Sequence, residues 1–559
     1  MNTLLKAALR IQGGAQRRSF DRSTAEPRAA QQRLLLDILA RNRDTEYGRE
    51  HGFSRVHDGE AFARLMPVTT FSDLAPYVEK IKNGQANVLT ADSPFMFCLT
   101  SGTTDKPKFL PITRKGRDLA VRLSYQWFHR ALRDHPSFLD HSILLISGAS
   151  IEGTTPAGIP YGSASGMICE GLPRRLCRSF TLPASLPNIK DYGLRYYLMA
   201  RLALAQEVSC IVTPNPTTLI QIAEVAIRHQ EEIVRAIRDG RVVGAWPFEQ
   251  GREDLQIVSA IRASMRPNRR RARFLEAVIR RHGELLPFAC WNHLKLIGCW
   301  LGGSVGFQTE KLSRCYGESV PKRDIGYLAS EGSMTIPYQD NTPAGILALP
   351  NNYYEFVPEG ESNATAGVVL QCHQVELGKR YKIILTNGNG LYRYDMDDVV
   401  EIQGFYNRTP VAAFMRKGDD LLNITGEKLH ANHVLGAFRR LKDELGVTVK
   451  QFRVVPNYAE RRYEILMHLA PEPPKAFLKN TVLPFIDQSL CEANVEYDSK
   501  RKSDRLLSPC IHLMSPSWEE DVRARFLAAG RRDVQYKWRM MATEISALDA
   551  MHKQETIQM

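Results

Sequence analysis

Residues 95–113 read Phe-Met-Phe-Cys-Leu-Thr-Ser-Gly-Thr-Thr-Asp-Lys-Pro-Lys-Phe-Leu-Pro-Ile-Thr, a stretch whose side chains suit the holding of phosphate. Thr100, Ser101, Thr103 and Thr104 place four hydroxyls around Gly102. The missing Cβ of that glycine lets backbone N–H groups come close to an anion. Lys108 supplies a cation suited to a leaving pyrophosphate. The spacing is not that of a Walker A loop, because Gly102 is followed by Thr-Thr-Asp-Lys-Pro and no second glycine precedes a Lys-Ser or Lys-Thr pair. Taken alone, a hydroxyl-rich turn with nearby lysines is also the pattern of a solvated loop. The flanks say more. Phe95–Leu99 is an apolar run suited to a buried strand. Thr113 is placed to cap a helix with Leu119, Leu123, Trp127 and Ala131 on one face, so the order expected is strand, loop, helix.

Further along, three stretches carry groups of complementary chemistry. Residues 300–306, Trp-Leu-Gly-Gly-Ser-Val-Gly, form a glycine-dense turn after the short strand His293–Gly298. Residues 324–332, Asp-Ile-Gly-Tyr-Leu-Ala-Ser-Glu-Gly, end a strand with Tyr327, Ser330 and Glu331. That tyrosine could stack on a purine, and the glutamate could hold Mg²⁺ through oxygen. Tyr381–Thr386, the turn Asn387-Gly-Asn-Gly390 and residues 391–400 read as a hairpin. It carries Asp395, Asp397 and Asp398, which could accept from the hydroxyls of a ribose or be solvated.

The elements that must position these groups alternate. Ser142–Ile146 and Cys210–Val212 read as strands, the second stopped by Pro214 and Pro216 and followed by a helix; Tyr192–Ala205 and Gln32–Ala40 read as helices. Such alternation predicts an α/β fold with a largely parallel sheet. Ser147–Gly171 is rich in Gly, Pro and Ser, with a core at 157–166 too irregular for a helix, and is expected to be a loop that contacts substrate.

Composition narrows the function classes. At 559 residues with 43% hydrophobic content the chain can fill more than one core. No run of 18 uncharged apolar residues occurs, so no membrane-spanning helix is expected. Lys6, Arg10, Arg17 and Arg18 all precede the first acidic residue, Asp21, as in a targeting presequence, but the segment is expected to be a native first helix. The ten cysteines are scattered without a Cys-x-x-Cys pair or zinc-ligand spacing to histidine, which indicates neither a disulfide framework nor a structural metal and fits a reducing cytoplasm. The net charge of +13 raises nucleic acid or an anionic membrane as partners. The densest basic run, residues 266–281, carries Phe274, Leu275, Val278 and Ile279 at helical spacing, which makes it the solvated face of an amphipathic helix; neither partner is expected.

Together, Thr100-Ser-Gly-Thr-Thr-x-x-Pro-Lys108, Leu301-Gly-Gly303, Tyr327-x-x-Ser-Glu331 and Leu391-Tyr-Arg-Tyr394 with Asp398-Val-Val400 match an adenylate-forming enzyme in order and rough spacing. More narrowly, the chain resembles the Gretchen Hagen family of acyl-acid amido synthetases, known from auxin conjugation in plants and present in bacteria, and a bacterial member is expected. Residues 45–48, 67–70, 212–216 and 426–428 also read like the family, and the resemblance spans roughly residues 30 to 545. It implies a large amino-terminal adenylate-forming domain, residues 1–416, with mostly parallel sheets and a hairpin-rich subdomain, which binds ATP and the acyl acid. A small mobile α+β domain, residues 417–559, follows. By the same resemblance Thr100, Ser101, Gly102, Thr103, Thr104 and Lys108 line the triphosphate, Gly303 and Ser304 lie near adenine, and Tyr327 packs on it with Ala329 alongside. Ser330 reaches the α-phosphate, Glu331 holds Mg²⁺, Asp398 binds the ribose, Arg416 with Asp419 and Asp420 marks the hinge, and Lys537 steadies the acyl adenylate. Two departures stand out. Trp538-Arg539 replaces a flanking Pro-Arg, and Met396-Asp397-Asp398 replaces Leu-Gly-Asp, which leaves open which aspartate meets the ribose; Asp398 is chosen because Val399-Val400 follows it directly.

The reaction implied has two steps: an acid attacks the α-phosphate of ATP with Mg²⁺ assistance, and an amine, typically of an amino acid, then attacks the acyl adenylate. A thiol such as coenzyme A is the alternative acceptor, and a non-catalytic nucleotide-binding relative with a basic surface is the alternative from another class. A monomer is expected. The acid pocket would draw on Tyr161 and the Gly158–Gly166 stretch, the helix after Tyr192 and the Gly302 turn.

Overall fold

The computed structural model describes residues 2–100, 108–241, 252–302, 309–359, 369–418, 421–425, 427, 429–502, 505–528, 536 and 538–558. The chain divides into two compact units, Met1–Met415 and Arg416–Met559.

In the first unit, β1 (Pro94–Thr100), β2 (Lys108–Thr113), β3 (Ser142–Leu145), β4 (Gly153–Thr154), β5 (Pro160–Gly162), β6 (Val208–Val212), β7 (Leu296–Gly298) and β8 (Lys322–Arg323) make two four-stranded sheets, ordered β2-β1-β5-β4 and β3-β6-β7-β8. The second is parallel throughout. Its buried Leu144, Ile211 and Ile297 pack with the helices Tyr192–Leu204 and Pro216–Arg228, and its Ile143, Cys210 and Leu296 with the helix Arg114–Asp134 on the other face. A parallel sheet is buried on both faces, which is why these strands read as continuous apolar runs.

The phosphate-loop segment departs from the expected strand, loop, helix. Lys108–Thr113 returns as β2, antiparallel to β1 with Thr100 opposite Lys108 and Phe97 opposite Pro111, and only then does the helix Arg114–Asp134 begin. Pro111 fits because β2 is an edge strand. Thr113 does cap the helix, its hydroxyl accepting from Gly116 N at 3.1 Å.

Ser147–Gly171 is likewise more ordered than expected. Tyr161 pairs in register with Phe97 of β1, and Ser163 caps a helix over Ala164–Gly171. The Tyr161 ring packs edge-on to Phe109 at 5.3 Å.

The first helix, Asn2–Ala25, lays Leu5, Leu9 and Phe20 inward and meets Arg114–Asp134, where Tyr125 donates to Gln12 at 2.9 Å. In the basic helix Arg269–His282, Ala272, Leu275 and Val278 are buried. Arg271 is an exception to its solvated face: it turns inward onto Glu207 and donates to the carbonyls of Leu204 and Cys290.

The hairpin-rich part adds β9 (Thr335–Pro337), β10 (Gly345–Leu347), β11 (Asn352–Pro358), β12 (Leu370–Gln371), β13 (Arg380–Asn387), β14 (Tyr394–Tyr406) and β15 (Thr409–Lys417), ordered β12-β11-β13-β14-β15-β10-β9. One irregularity matters. Lys382 faces Val399 but Ile384 faces Asp395, so two steps along β13 span four along β14. The extra residues form a bulge in which Asp397 adopts a φ of +53°.

The second unit is α+β. Strands β16 (Leu421–Leu422) and β17 (Leu429–His430) pair, and β18 (Val449–Asn457), β19 (Arg462–Leu469), β20 (Cys510–Met514) and β21 (Lys553–Ile557) form a sheet in that order. Phe438, from the helix Ala431–Leu445, packs edge-on to Phe452 at 4.6 Å, while Trp518 joins Val455, Leu466 and Met514. Among the described residues no helix is long and apolar enough to cross a membrane.

Candidate active site

Two turns meet near the end of β1, and a third holds the approach to Tyr327. The first is Ala329-Ser-Glu-Gly332, a tight hairpin turn in which Ala329 and Gly332 exchange backbone hydrogen bonds of 3.0 and 3.2 Å. Ser330 and Glu331 are therefore its two tip residues. Ser330 Oγ donates to the carbonyl of Leu99 at 3.3 Å, which sets this tip against the strand from which the hydroxyl loop departs.

The second is the Asn387-Gly-Asn-Gly390 turn. Asn387 donates to the carbonyl of Glu331 at 2.9 Å, and Asn389 Oδ1 accepts from both the N–H and the hydroxyl of Thr113 at 3.0 Å. One side-chain pair thus fastens the Ser330–Glu331 tip to the start of the helix after the phosphate loop. By sequence these residues read as a tight turn; the pair of asparagines flanking Gly388 is the signal for their wider role.

The third follows β7. Leu301 N donates to Asp324 Oδ2 at 2.7 Å and Gly326 N to Oδ1 at 2.6 Å, so one buried carboxylate holds this turn and the approach to Tyr327 together. Burial pushes Asp324 up to about 7, against the pull of those two N–H groups. A Cβ on Gly302 would stand 3.0 Å from the carbonyl of Phe414, which explains a glycine there.

Tyr327 and Asp398, 71 residues apart, are brought together: the phenol donates to Asp398 Oδ2. The Tyr327 ring lies 5.3 Å from Phe414, tilted by 34°. Burial, and then the Asp398 carboxylate, hold the phenol well above its ordinary value, so it remains a donor. The bulge separates the two aspartates. Asp398 is 2% exposed and faces Tyr327; Asp397, with its side chain 41% exposed, pairs with Lys382 at 3.1 Å.

Lys108 begins β2, its Nζ 5.7 Å from the centre of the Phe71 ring. Thr100 ends β1. Arg416 opens the second unit and donates to the carbonyl of Lys417. Ser101, Gly102, Thr103, Thr104, Gly303, Ser304 and Lys537 lie outside the described residues, as do Asp419 and Asp420.

None of the ten cysteines is in a disulfide. Among the described residues, one group that sequence spacing did not reveal gathers three possible metal ligands, Glu464, Cys510 and His512, from β19 and β20. Lys553 Nζ stands 3.4 Å from His512 Nε2 and Asn457 donates to Glu464, so this network already contains a cation.

Comparison with known proteins bears on the whole chain. The family descriptions GH3 N-terminal domain, GH3 central domain and GH3 C-terminal domain match residues 16–322, 345–417 and 432–544. This chain belongs to the GH3 family. Relatives of this GH3 protein include jasmonoyl–L-amino acid synthetase JAR4 of Nicotiana attenuata, 26% identical over 73% of this chain and 72% of that one. Indole-3-acetic acid-amido synthetase GH3.3 of Arabidopsis thaliana is 23% identical over 91% and 88%. Among solved structures, GH3.15 acyl acid amido synthetase superposes with a TM-score of 0.82 at 21% identity, covering 96% of this chain and 95% of that one. A 2-hydroxyisobutyryl-CoA ligase in the postadenylation state superposes at 0.52 and 14% identity over 95% and 93%. The fold of this GH3 protein is therefore that of the adenylate-forming enzymes.

Proposed function

We propose that this GH3 protein is an acyl-acid amido synthetase that activates a carboxylic acid with ATP and transfers the acyl group to an amino acid. The observation that carries the reading is the convergence of Tyr327, Asp398 and the Ser330–Glu331 tip beside the end of β1. In this reading Asp398 accepts from the ribose hydroxyls, Tyr327 fixes the base edge next to Ala329, and Gly303 and Ser304 complete that wall. Ser330 donates to the α-phosphate. Thr100 to Thr104 and Lys108 hold the departing pyrophosphate.

Glu331 offers a carboxylate oxygen at a turn tip, a hard donor suited to Mg²⁺. Bound there, Mg²⁺ would supply charge neutralisation on the phosphates. The substrate carboxylate displaces pyrophosphate at the α-phosphorus, and the deprotonated amine then forms the amide and releases AMP. Lys537 is assigned to the charge of the acyl adenylate, and residues 416–420 to a swing of the domain 417–559 between the two steps.

Radiolabelled pyrophosphate should exchange into ATP only when a carboxylic acid is present, and Glu331→Ala should abolish that exchange while circular dichroism stays unchanged. Exchange without acid, or an active Glu331→Ala protein, would sink the reading. Product mass spectrometry with amino acids and with coenzyme A should return the amide; a thioester would move the assignment to the thiol acceptor.

A further inference from the structure

One face of the sheet in the second unit gathers three groups of complementary coordination chemistry. Residues two apart on a strand point to the same side, so Cys510 and His512 of β20 share a face, which their Cys-x-His spacing alone does not reveal. Glu464 of β19 stands in register opposite Cys510, and Thr556 of β21 opposite His512. Cys510 is 3% exposed, and the side chains of His512 and Glu464 are 3% and 15% exposed.

The His512 ring has more neighbours than it can bond. Its Nδ1 lies 2.9 Å from the Thr556 hydroxyl. Its Nε2 lies 3.0 Å from Glu464 Oε2, 3.4 Å from Lys553 Nζ and 3.7 Å from Cys510 Sγ. One ring nitrogen carries either one proton or one lone pair, so it satisfies only one of those three. A metal ion would bond the ring nitrogen, the carboxylate and the sulfur together. In a tetrahedral zinc site, with bonds of about 2.0 Å to nitrogen or oxygen and about 2.3 Å to sulfur, the nitrogen stands about 3.3 Å from the oxygen and about 3.5 Å from the sulfur, close to the spacings here. The outer contacts suit a ligand set as well. A Thr556 hydroxyl accepting from Nδ1 fixes the tautomer that leaves Nε2 bare, and Asn457 donates to Glu464 Oε1 at 2.7 Å. Lys553 is exposed, and its ammonium stands where the cluster draws in positive charge.

We propose that Glu464, Cys510 and His512 bind a Zn²⁺-class ion within the second unit, tying β19 to β20, with water in the fourth position and Lys553 turned out to solvent. A thiolate, an imidazole and a carboxylate are donors that such a borderline ion takes. The metal–sulfur bond forms as the Cys510 thiol proton leaves for solvent. Co²⁺ titrated into the full-length protein reports the ligands directly. One ion per chain should give tetrahedral ligand-field bands together with a sulfur-to-cobalt charge-transfer band, and Zn²⁺ should bleach both. Cys510→Ser should abolish the charge-transfer band, and Thr556→Val should weaken Zn²⁺ binding about tenfold, as expected for a group that orients a ligand. Lys553→Gln, an exposed change, removes the competing cation and should tighten binding severalfold. Zn²⁺ should also raise the thermal midpoint of the wild type more than that of Cys510→Ser. Absence of the charge-transfer band in both the wild type and Lys553→Gln, a band that persists in folded Cys510→Ser, or a Lys553→Gln protein that binds no tighter than the wild type would overturn the proposal.

Discussion

Arg393 and Arg201 are both buried arginines of the first unit, and their surroundings could hardly differ more. Arg393 Nε reaches both oxygens of Glu355 at 3.1 Å, and its Nη1 donates to the carbonyls of Ala63 and Met66 at 2.8 and 2.6 Å. Glu355 itself is 2% exposed. The pair locks the hairpin to residues 63–69, where Thr69 bridges to Tyr394 and its hydroxyl donates to the carbonyl of Tyr392. Arg201 has a carbonyl and no acid. Both belong to the scaffold, but the Arg393 guanidinium is held by an acid and two carbonyls, whereas Arg201 keeps an Nε without a hydrogen-bond partner.

The comparison breaks most visibly in stability. Removing one partner of a buried pair leaves the other charge uncompensated, so Glu355→Gln should lower the unfolding free energy by about 3–5 kcal/mol in urea titration. Arg201→Met, which removes a charge with no carboxylate to strand, should cost no more than about 1 kcal/mol. Equal losses at the two positions would mean that Arg201 is as structural as Arg393.

A smaller effect sharpens the contrast at the bulge, where adjacent carboxylates have opposite surroundings. Asp398→Asn should lower kcat/KM for ATP about 10- to 100-fold, the range for one or two hydrogen bonds to a charged group, with the Asp397→Asn protein as its control. Asp397 faces solvent and Lys382, so Asp397→Asn should stay within about twofold, as exposed pairs contribute little. Reversed magnitudes would give the ribose to Asp397.

Much of this was legible in the sequence, and the parts that were not share a cause. Thr113 as a helix cap, the hairpin around Asn387–Gly390 and the strands Ser142–Leu145 and Val208–Val212 follow from local patterns. Lys108–Thr113 reads as part of the loop, and its strand is set only by pairing with β1, at an edge position that accommodates Pro111. Ala164–Gly171 is hidden by the glycines and serines around it until Ser163 is seen to cap it. Tyr327 and Asp398 could each be named in the sequence, but not their hydrogen bond, since register across the bulge is a tertiary fact. Arg201 is invisible: nothing in the pattern of the helix Tyr192–Leu204 marks it as buried.

Asp324 is the subtlest test of the turns, because its effect is one of pH. Burial holds its folded carboxyl at about 7, against 3.8 for the unperturbed group. Between these values the folded protein keeps a proton that the unfolded chain has released, so the group's contribution is complete below about pH 4 and is lost as pH rises through about 7. Asp324→Asn cannot titrate. Urea unfolding at pH 5, 6, 7 and 8 should therefore show the decline in stability flattened by about one proton in the variant. The amide also replaces one acceptor with a donor facing Leu301 N or Gly326 N, so the Tyr327 approach should loosen and KM for ATP should rise while kcat changes little. An unchanged pH slope would mean that Asp324 is already ionised throughout this range, held so by its two N–H donors rather than kept neutral by burial.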